Sequence, residues 1–194
     1  MRRVISPVWF IAAVGSGFVA VAARPAAAEN FALDAVHSSV TFKCEHMGLS
    51  WVHGRFNSFS GDFSYDKADP AKSTFELTIK AESIDTGNAA RDNHLKGGDF
   101  FDVKQFATLS FKSKSVKSVK DGLEVKGDFT MHGQTKPISF ILKGGKEKEF
   151  QGKKHIGFWT DLTIKRSEFG MIDKMPGALG DEVPVSISFE GVGK

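Results

Sequence analysis

Apolar and polar residues alternate along most of the chain after residue 28, the period-two pattern of strands that bury one face. Val40, Phe42, Cys44 and His46 share one face of a first strand, with Thr41, Lys43 and Glu45 on the other. In a second, Phe59, Phe63 and Tyr65 oppose Ser60, Asp62 and Ser64, while Phe56 is out of phase and predicts a bulge near Asn57. The third sets Phe75, Leu77, Ile79 and Ala81 against Glu76, Thr78, Lys80 and Glu82, and the fourth sets Leu109 and Phe111 against Ser110 and Lys112. Asp121-Gly122 predicts a tight hairpin into a fifth strand, where Leu123, Val125, Phe129 and Met131 oppose Glu124, Lys126, Asp128 and Thr130. Three more strands follow, carrying Ile138, Phe140 and Leu142; Ile156, Phe158, Leu162 and Ile164; and Val183, Val185, Ile187 and Phe189.

Eight strands with short turns are enough to close, and closure removes the free edges that invite aggregation. The pattern therefore predicts an all-β fold, an eight-stranded antiparallel up-and-down barrel. Between strands 3 and 4, residues 84–107 interrupt it with a short helical insertion, from Thr86 as a cap through Leu95 to a stop at Gly97. A second irregular stretch, residues 169–182, carries Met171, Met175, Pro176 and Gly177 and is placed to close an opening. The polar faces hold Lys43, Glu45, Glu76, Lys80, Glu124, Lys126 and Asp128, too many charges to set against lipid, so the apolar faces turn inward.

Residues 1–28 have the layout of a cleaved signal peptide: Arg2 and Arg3, an apolar run over 8–23, then Ala26, Ala27 and Ala28. That expectation makes 29–194 the mature domain and places it in the periplasm. Of 26 basic residues, Arg2, Arg3 and Arg24 lie in the leader, which leaves 23 against 23 acidic. A neutral chain gives no electrostatic reason for nucleic acid as a partner, and membrane contact is expected only as a transient event. The sequence leaves a homodimer open. Cys44 is the single cysteine, so no internal disulfide can form.

Of 18 phenylalanines, 16 remain after Phe10 and Phe18 are removed with the leader, against a single tyrosine. Such walls suit a hydrocarbon guest or each other, and composition leaves a filled core and a ligand cavity equally open. The positions assigned to the wall are Val40, Phe42, Phe63, Phe75, Leu77, Ile79, Leu109, Phe111, Val125, Phe129, Ile138, Phe140, Phe158, Leu162, Ile164, Val185 and Ile187. Strands of about eleven residues, rising ~3.3 Å each and tilted by ~40°, would give a tube roughly 28 Å deep. A tail of ~40 carbons in it would gain ~30 kcal/mol against water, beyond the ~20 kcal/mol at which affinities saturate, so the relevant donor is a bilayer.

Arg91, Asp92 and His94, followed by Asp99 and Asp102, combine a cation, carboxylates and an imidazole that can meet a quinone ring or a phosphate at a barrel mouth. The residues taken alone favour a plainer reading, a capped helix held to the rim by an Arg-Asp pair. Arg166 keeps the inward parity of Leu162 and Ile164, so it either reaches the mouth or forms a buried pair. The six histidines, at 37, 46, 53, 94, 132 and 155, lack zinc-motif spacing, and no metal is expected. No cofactor is assigned. Cys44 and His46 share a face and constitute the one enzymatic alternative, a lipid- or redox-active thiol; without a hydrolase elbow or a P-loop the chain reads as a non-enzyme with no catalytic residue. A filled barrel acting as a stress-related interaction module is the other alternative.

The ordered set His37-Ser38-Ser39-Val40 with Phe42, His46-Met47-Gly48, Gly54-Arg55-Phe56, Arg91-Asp92-Asn93-His94-Leu95, Asp99-Phe100-Phe101-Asp102, Gly127-Asp128-Phe129-Thr130-Met131-His132-Gly133-Gln134-Thr135-Lys136 and Arg166-Ser167-Glu168-Phe169-Gly170 resembles the YceI-like family of exported polyisoprenoid-binding proteins along the whole mature chain. Phe31, where the family often has Trp or Tyr, and Cys44 depart from its pattern. The resemblance implies a lipocalin-like barrel whose cavity holds a long isoprenoid chain, of the polyprenyl phosphate or quinone type, in the periplasm. It favours the cavity over the filled core and carries over only a hydrophobic wall; Arg91, Asp92, His94 and Arg166 are the mouth candidates from the residues themselves.

Overall fold

The structure, a computed structural model, describes residues 27–173 and 177–194; the leader up to residue 26, Met175 and Pro176 lie outside the described residues. Its strands are β1 (Glu29–His46), β2 (Ser50–Phe56), β3 (Phe59–Tyr65), β4 (Thr74–Lys80), β5 (Ile84–Asp85), β6 (Thr108–Val119), β7 (Gly122–Met131), β8 (Gln134–Phe150), β9 (Lys153–Lys165) and β10 (Glu182–Gly193). Each pairs antiparallel with its neighbour, and β10 pairs back onto β1 to close the sheet. β2 and β3 are two halves of one barrel strand, since β1 pairs with β2 over residues 40–46 and with β3 over residues 29–32. β5 similarly extends β4, pairing with β2 at Arg55 and Phe56. The result is the expected closed eight-stranded barrel with one short helix, α1 (Ala89–Leu95), between the third and fourth barrel strands. Among the described residues no helix is long and apolar enough to cross a membrane.

The alternation works as read from the sequence. Phe75 and Ile79 are buried while Glu76, Thr78 and Lys80 between them face out, and outward residues pair across strands, as Glu76 does with Lys112 at 2.8 Å and Asp128 with Lys114 at 2.7 Å. Exposed pairs of this kind contribute at most about 1 kcal/mol each, so the fold rests on its inward faces. The break between Phe56 and Phe59 is where the phase slip predicted it. The hairpin after β6 turns on Lys120 and Asp121, one residue earlier than Asp121-Gly122, and Gly122 opens β7 paired with Val119.

The pattern missed the N-terminal half of β1. A register shift against β10 between Asp34 and Ser39 moves the inward set from odd residues, Phe31 and Leu33, to even ones, Val40 and Phe42. The loop-out is held by Ser38 Oγ, which donates to Asp34 O at 2.5 Å and accepts from Glu190 N, and by the His37 ring against Asp34 Oδ2 at 2.7 Å.

The two ends of the barrel are built differently. At the end that carries Glu29 and Lys194, Phe63 meets Phe31, Phe75, Phe158 and Phe189 with ring centroids 5.1, 5.6, 5.9 and 5.5 Å apart, and Val116, Val125, Leu142 and Ile156 complete the cluster. Stacked and edge-to-face rings interlock here across the axis. Glycine makes room for them: a Cβ at Gly191 would run into the Phe63 ring. This plug closes one end of the tube, so the hollow does not run the whole strand length that the ~28 Å figure assumed. At the other end, residues 81–107, 166–173 and 177–181 fold over the opening.

Candidate functional site

Between the plug and these covering segments lies a cavity of about 590 Å³. Fifteen of the seventeen predicted wall residues line it: Val40, Phe42, Phe63, Phe75, Leu77, Ile79, Leu109, Phe111, Phe129, Ile138, Phe140, Leu162, Ile164, Val185 and Ile187. Val125, 0% exposed, and Phe158, 2% exposed, have the right parity but sit within the plug, outside the lining. Alternation reports which face turns inward; it does not report the height at which opposite walls meet. The cover adds Leu95 at the end of α1, and Phe100, Phe101, Met171 and Leu179, which lie in irregular segments with no period to betray them. Val52 and Phe56 were missed because the second strand was not followed upstream of its bulge. Thr160 also faces in, its hydroxyl satisfied by Ile141 O at 2.8 Å, so the wall presents little unpaired polarity.

The four mouth candidates divide. Arg91 and His94 do line the cavity beside α1, whose N-cap is Asn88, its side chain accepting from Arg91 N at 3.0 Å; Thr86, the expected cap, is held instead from both sides. Asp92 accepts from Thr86 N at 2.9 Å and from its hydroxyl at 2.6 Å, and Arg91 donates from Nε to that hydroxyl at 2.7 Å and from Nη2 to Thr86 O at 2.9 Å. Asp92 is thus a positioning group outside the lining, and no direct Arg91–Asp92 pair exists. Arg91 keeps one terminal nitrogen uncommitted in these bonds. His94 meets Asp99 through Nε2 at 3.1 Å and packs its ring on Phe100 at 5.1 Å.

Arg166 is 5% exposed and reaches neither the solvent mouth nor a buried carboxylate partner as the sequence suggested. Its guanidinium donates to the carbonyls of Gly180, Met171, Asp173 and Leu179 at 2.9, 2.8, 2.9 and 3.3 Å. These bonds hold the described residues of the covering segment over the cavity, whose wall Arg166 also joins, and they engage four of its five N–H groups, leaving one Nη2 hydrogen outside them. Asp181 accepts from Ser167 N and Oγ and so joins the two ends of the segment, and the His132 ring against Phe169 O at 3.1 Å ties it to the barrel.

Cys44 and His46 lie on the cavity wall. The Cys44 thiol points at Glu45 O and Gly180 O, 3.7 and 3.8 Å away. Burial pushes it above its ordinary 9.0, and the opposing pulls of the Arg166 charge and of the Gly180 backbone are smaller. A thiol in that state is protonated at neutral pH and lacks the thiolate that nucleophilic or redox chemistry needs. The nearest approaches to a metal-ligand set among the described residues are Asp34, His37 and Glu190, and His94, Asp99 and Asp173, each group within 4.8 Å.

The YceI-like domain model matches residues 31–191. A UPF0312 protein of Pseudomonas putida is 38% identical over 93% of this chain and 95% of its own, and one of Vibrio cholerae is 36% identical over the full length of both. Among solved structures, the Campylobacter jejuni YceI protein superposes with a TM-score of 0.67 at 29% identity, covering 77% of this chain and 90% of that one. BcnA of Burkholderia cenocepacia does so at 0.70, with 23% identity over 81% and 98%. A polyisoprenoid binding domain from Saccharophagus degradans follows at 0.65, with 17% identity over 84% and 98%, and shares the fold.

Proposed function

The chain belongs to the YceI-like family, and from that premise we propose that it is an exported, periplasmic carrier that encloses the apolar tail of an isoprenoid lipid, of the polyprenyl phosphate or quinone type, and catalyses no reaction on it. The observation that carries this reading is the 590 Å³ cavity, walled by hydrocarbon and lying between the plug and the covering segments of the barrel. At about 30 Å³ per heavy atom, the share of a water-sized group, it takes roughly 20 carbons, or four isoprene units. Burying that much hydrocarbon is worth about 16 kcal/mol against water, within the range that real complexes reach. Measured against a bilayer the gain is small, so loading is reversible. A longer tail leaves part of its length in the mouth or displaces plug rings.

The head then lies beside Arg91 and His94, the two candidates that both line the cavity and stand at its rim. The leader-like residues 1–28 support export, and the relative described as a polyisoprenoid binding domain supports the ligand class. The protonated state of Cys44 weighs against the thiol-enzyme alternative. The experiment is solvent extraction and mass spectrometry of protein purified without detergent from its native periplasm. A prenyl lipid in the extract is expected; an empty extract, together with no uptake of added polyprenol, would overturn the proposal.

A further inference from the structure

Three hairpin turns place two successive central residues at positive φ: Met47-Gly48 at 55° and 68°, in a three-residue loop closed by Leu49 N donating to His46 O, and His132-Gly133 and Gln151-Gly152, each at 50° and 72°, in two-residue loops. Turns of this kind favour Asn or Asp before Gly, because longer side chains are disfavoured in the left-handed region. His132 is explained by its contacts, with Phe106 at 4.7 Å between ring centres and with Phe169 O. Gln151 is polar and stands among Lys148, Glu149, Lys153 and Lys154 at the plugged end. Met47 has neither explanation: its side chain is 58% exposed, and Leu49 and Trp51 after it are 81% and 45% exposed.

This apolar tip stands at the rim of the cavity. Cys44, His46 and Val52 on its two strands line the wall, Met47 N donates to Ala178 O at 2.9 Å, and Ala178 is itself a lining residue. On its outer side β2 pairs with β5 only at Arg55 and Phe56, so its first five residues stand clear of a second strand. From residue 46 to 52 the chain has no Asp, Glu, Lys or Arg; Glu45, which pairs with Trp51 and sets its Oε1 against Gly48, bounds the apolar tip and limits its immersion to the depth at which that carboxylate stays in the head-group region. The nearest cation, Lys43, lies 4.7 Å over the Trp51 ring, a pairing that suits an interface where indole sits at the head-group level and ammonium reaches phosphate. Ile172, on the covering segment at the same end, is 64% exposed.

We infer that the tip formed by Met47, Gly48, Leu49 and Trp51 docks into the surface of a phospholipid bilayer and forms the lip over which an apolar tail passes into the cavity. The passage of the tail rests on the carrier reading above; the docking itself does not. Two readouts keep them apart. Flotation with phosphatidylcholine vesicles, with and without phosphatidylglycerol, reads docking. Uptake of a tetraprenyl probe dispersed in buffer reads the cavity.

The wild-type protein is expected to float, and Met47→Asn combined with Leu49→Ser should lower its partition by about tenfold or more, since burial of either side chain is worth at least that factor. Met47→Asn should hold or raise the melting temperature, because Asn suits the turn, so lost flotation would not reflect misfolding. Both variants should take up dispersed probe like wild type but receive it more slowly from vesicles. Failure of wild type to float, or flotation indifferent to the substitutions, would overturn the docking and leave the cavity reading standing. Flotation that depends on the tip, without uptake of probe by any variant, would support docking and remove the carrier reading. A dimer in sedimentation that Met47→Asn dissociates would overturn the bilayer in favour of a second copy of the chain.

Discussion

Replacing Phe63 by alanine tests the division of the barrel into a plug and a cavity. Phe63 is 5% exposed, its ring lies within 6 Å of four others, and it stands at the cavity floor. Truncating a core phenylalanine to alanine costs about 3–5 kcal/mol, and this site belongs at the upper end because its neighbours are rings locked by one another. In a domain of this size, where 1 kcal/mol moves the melting temperature by about 2–4 °C, the empty variant should melt roughly 10–20 °C below wild type. The vacated space, on the order of 150 Å³ as for a buried benzene, adjoins the cavity and should admit about one more isoprene unit. Thermal melts of both proteins across a triprenyl to octaprenyl alcohol series read the two effects together. Wild type should be stabilised best by the tetraprenyl compound, by about 2.7 kcal/mol at a hundredfold excess over Kd, and Phe63→Ala by a longer one. A loss below about 1 kcal/mol, or an unchanged optimum in a folded variant, would refute the division.

Four further predictions follow from single sites. Ile187→Glu places a carboxylate on the cavity wall and should abolish folding or prenol uptake, whereas Lys80→Glu, on the outer face, should shift stability by no more than about 0.5 kcal/mol; circular dichroism and uptake separate them. Arg166→Ala leaves four carbonyls without their donor and should cost about 3–5 kcal/mol in denaturant unfolding, with Arg166→Lys recovering only part because one ammonium cannot span the same fan. Cys44 should alkylate far more slowly than free cysteine at neutral pH, with a rate profile whose midpoint lies above 9.0, and bound prenol should slow it further. The Asp34 contact raises His37 above its ordinary 6.5, and the same contact lowers Asp34 below its ordinary 3.8. The His37 contribution is complete below 6.5 and lost as pH rises through the raised value, while that of Asp34 is complete above 3.8 and lost as pH falls through the lowered one. Wild type should therefore exceed His37→Ala in stability most between 3.8 and 6.5, and a difference that grew toward alkaline pH would contradict the pairing.

The barrel was legible because each inward face repeats with period two and each turn interrupts it cleanly. Even the bulge at Asn57 was visible, since Phe56 and Phe59 fall on opposite parities. The loop-out after Asp34 was hidden: it shifts phase inside a single strand with no glycine or proline to mark it. Wall positions could be named because parity decides them, yet Val125 and Phe158 show that inward is a weaker statement than cavity-lining. Whether rings meet depends on side-chain size at matched heights on strands distant in sequence, such as Phe63 and Phe189, and no local pattern encodes that. The mouth was least legible. Arg166 was recognised as a charge turned inward, but its solution is four backbone carbonyls of an irregular segment, which side-chain pairing rules do not anticipate.

A crystal structure of the protein loaded with tetraprenyl alcohol is the most direct test of the central claim. Continuous density is expected from the rim beside Arg91 down to the floor formed by Phe63 and Phe75, in contact with Leu77, Leu162 and Val185, with the plug rings unmoved. Density confined to the outer surface, or a cavity still empty at saturating ligand, would contradict it.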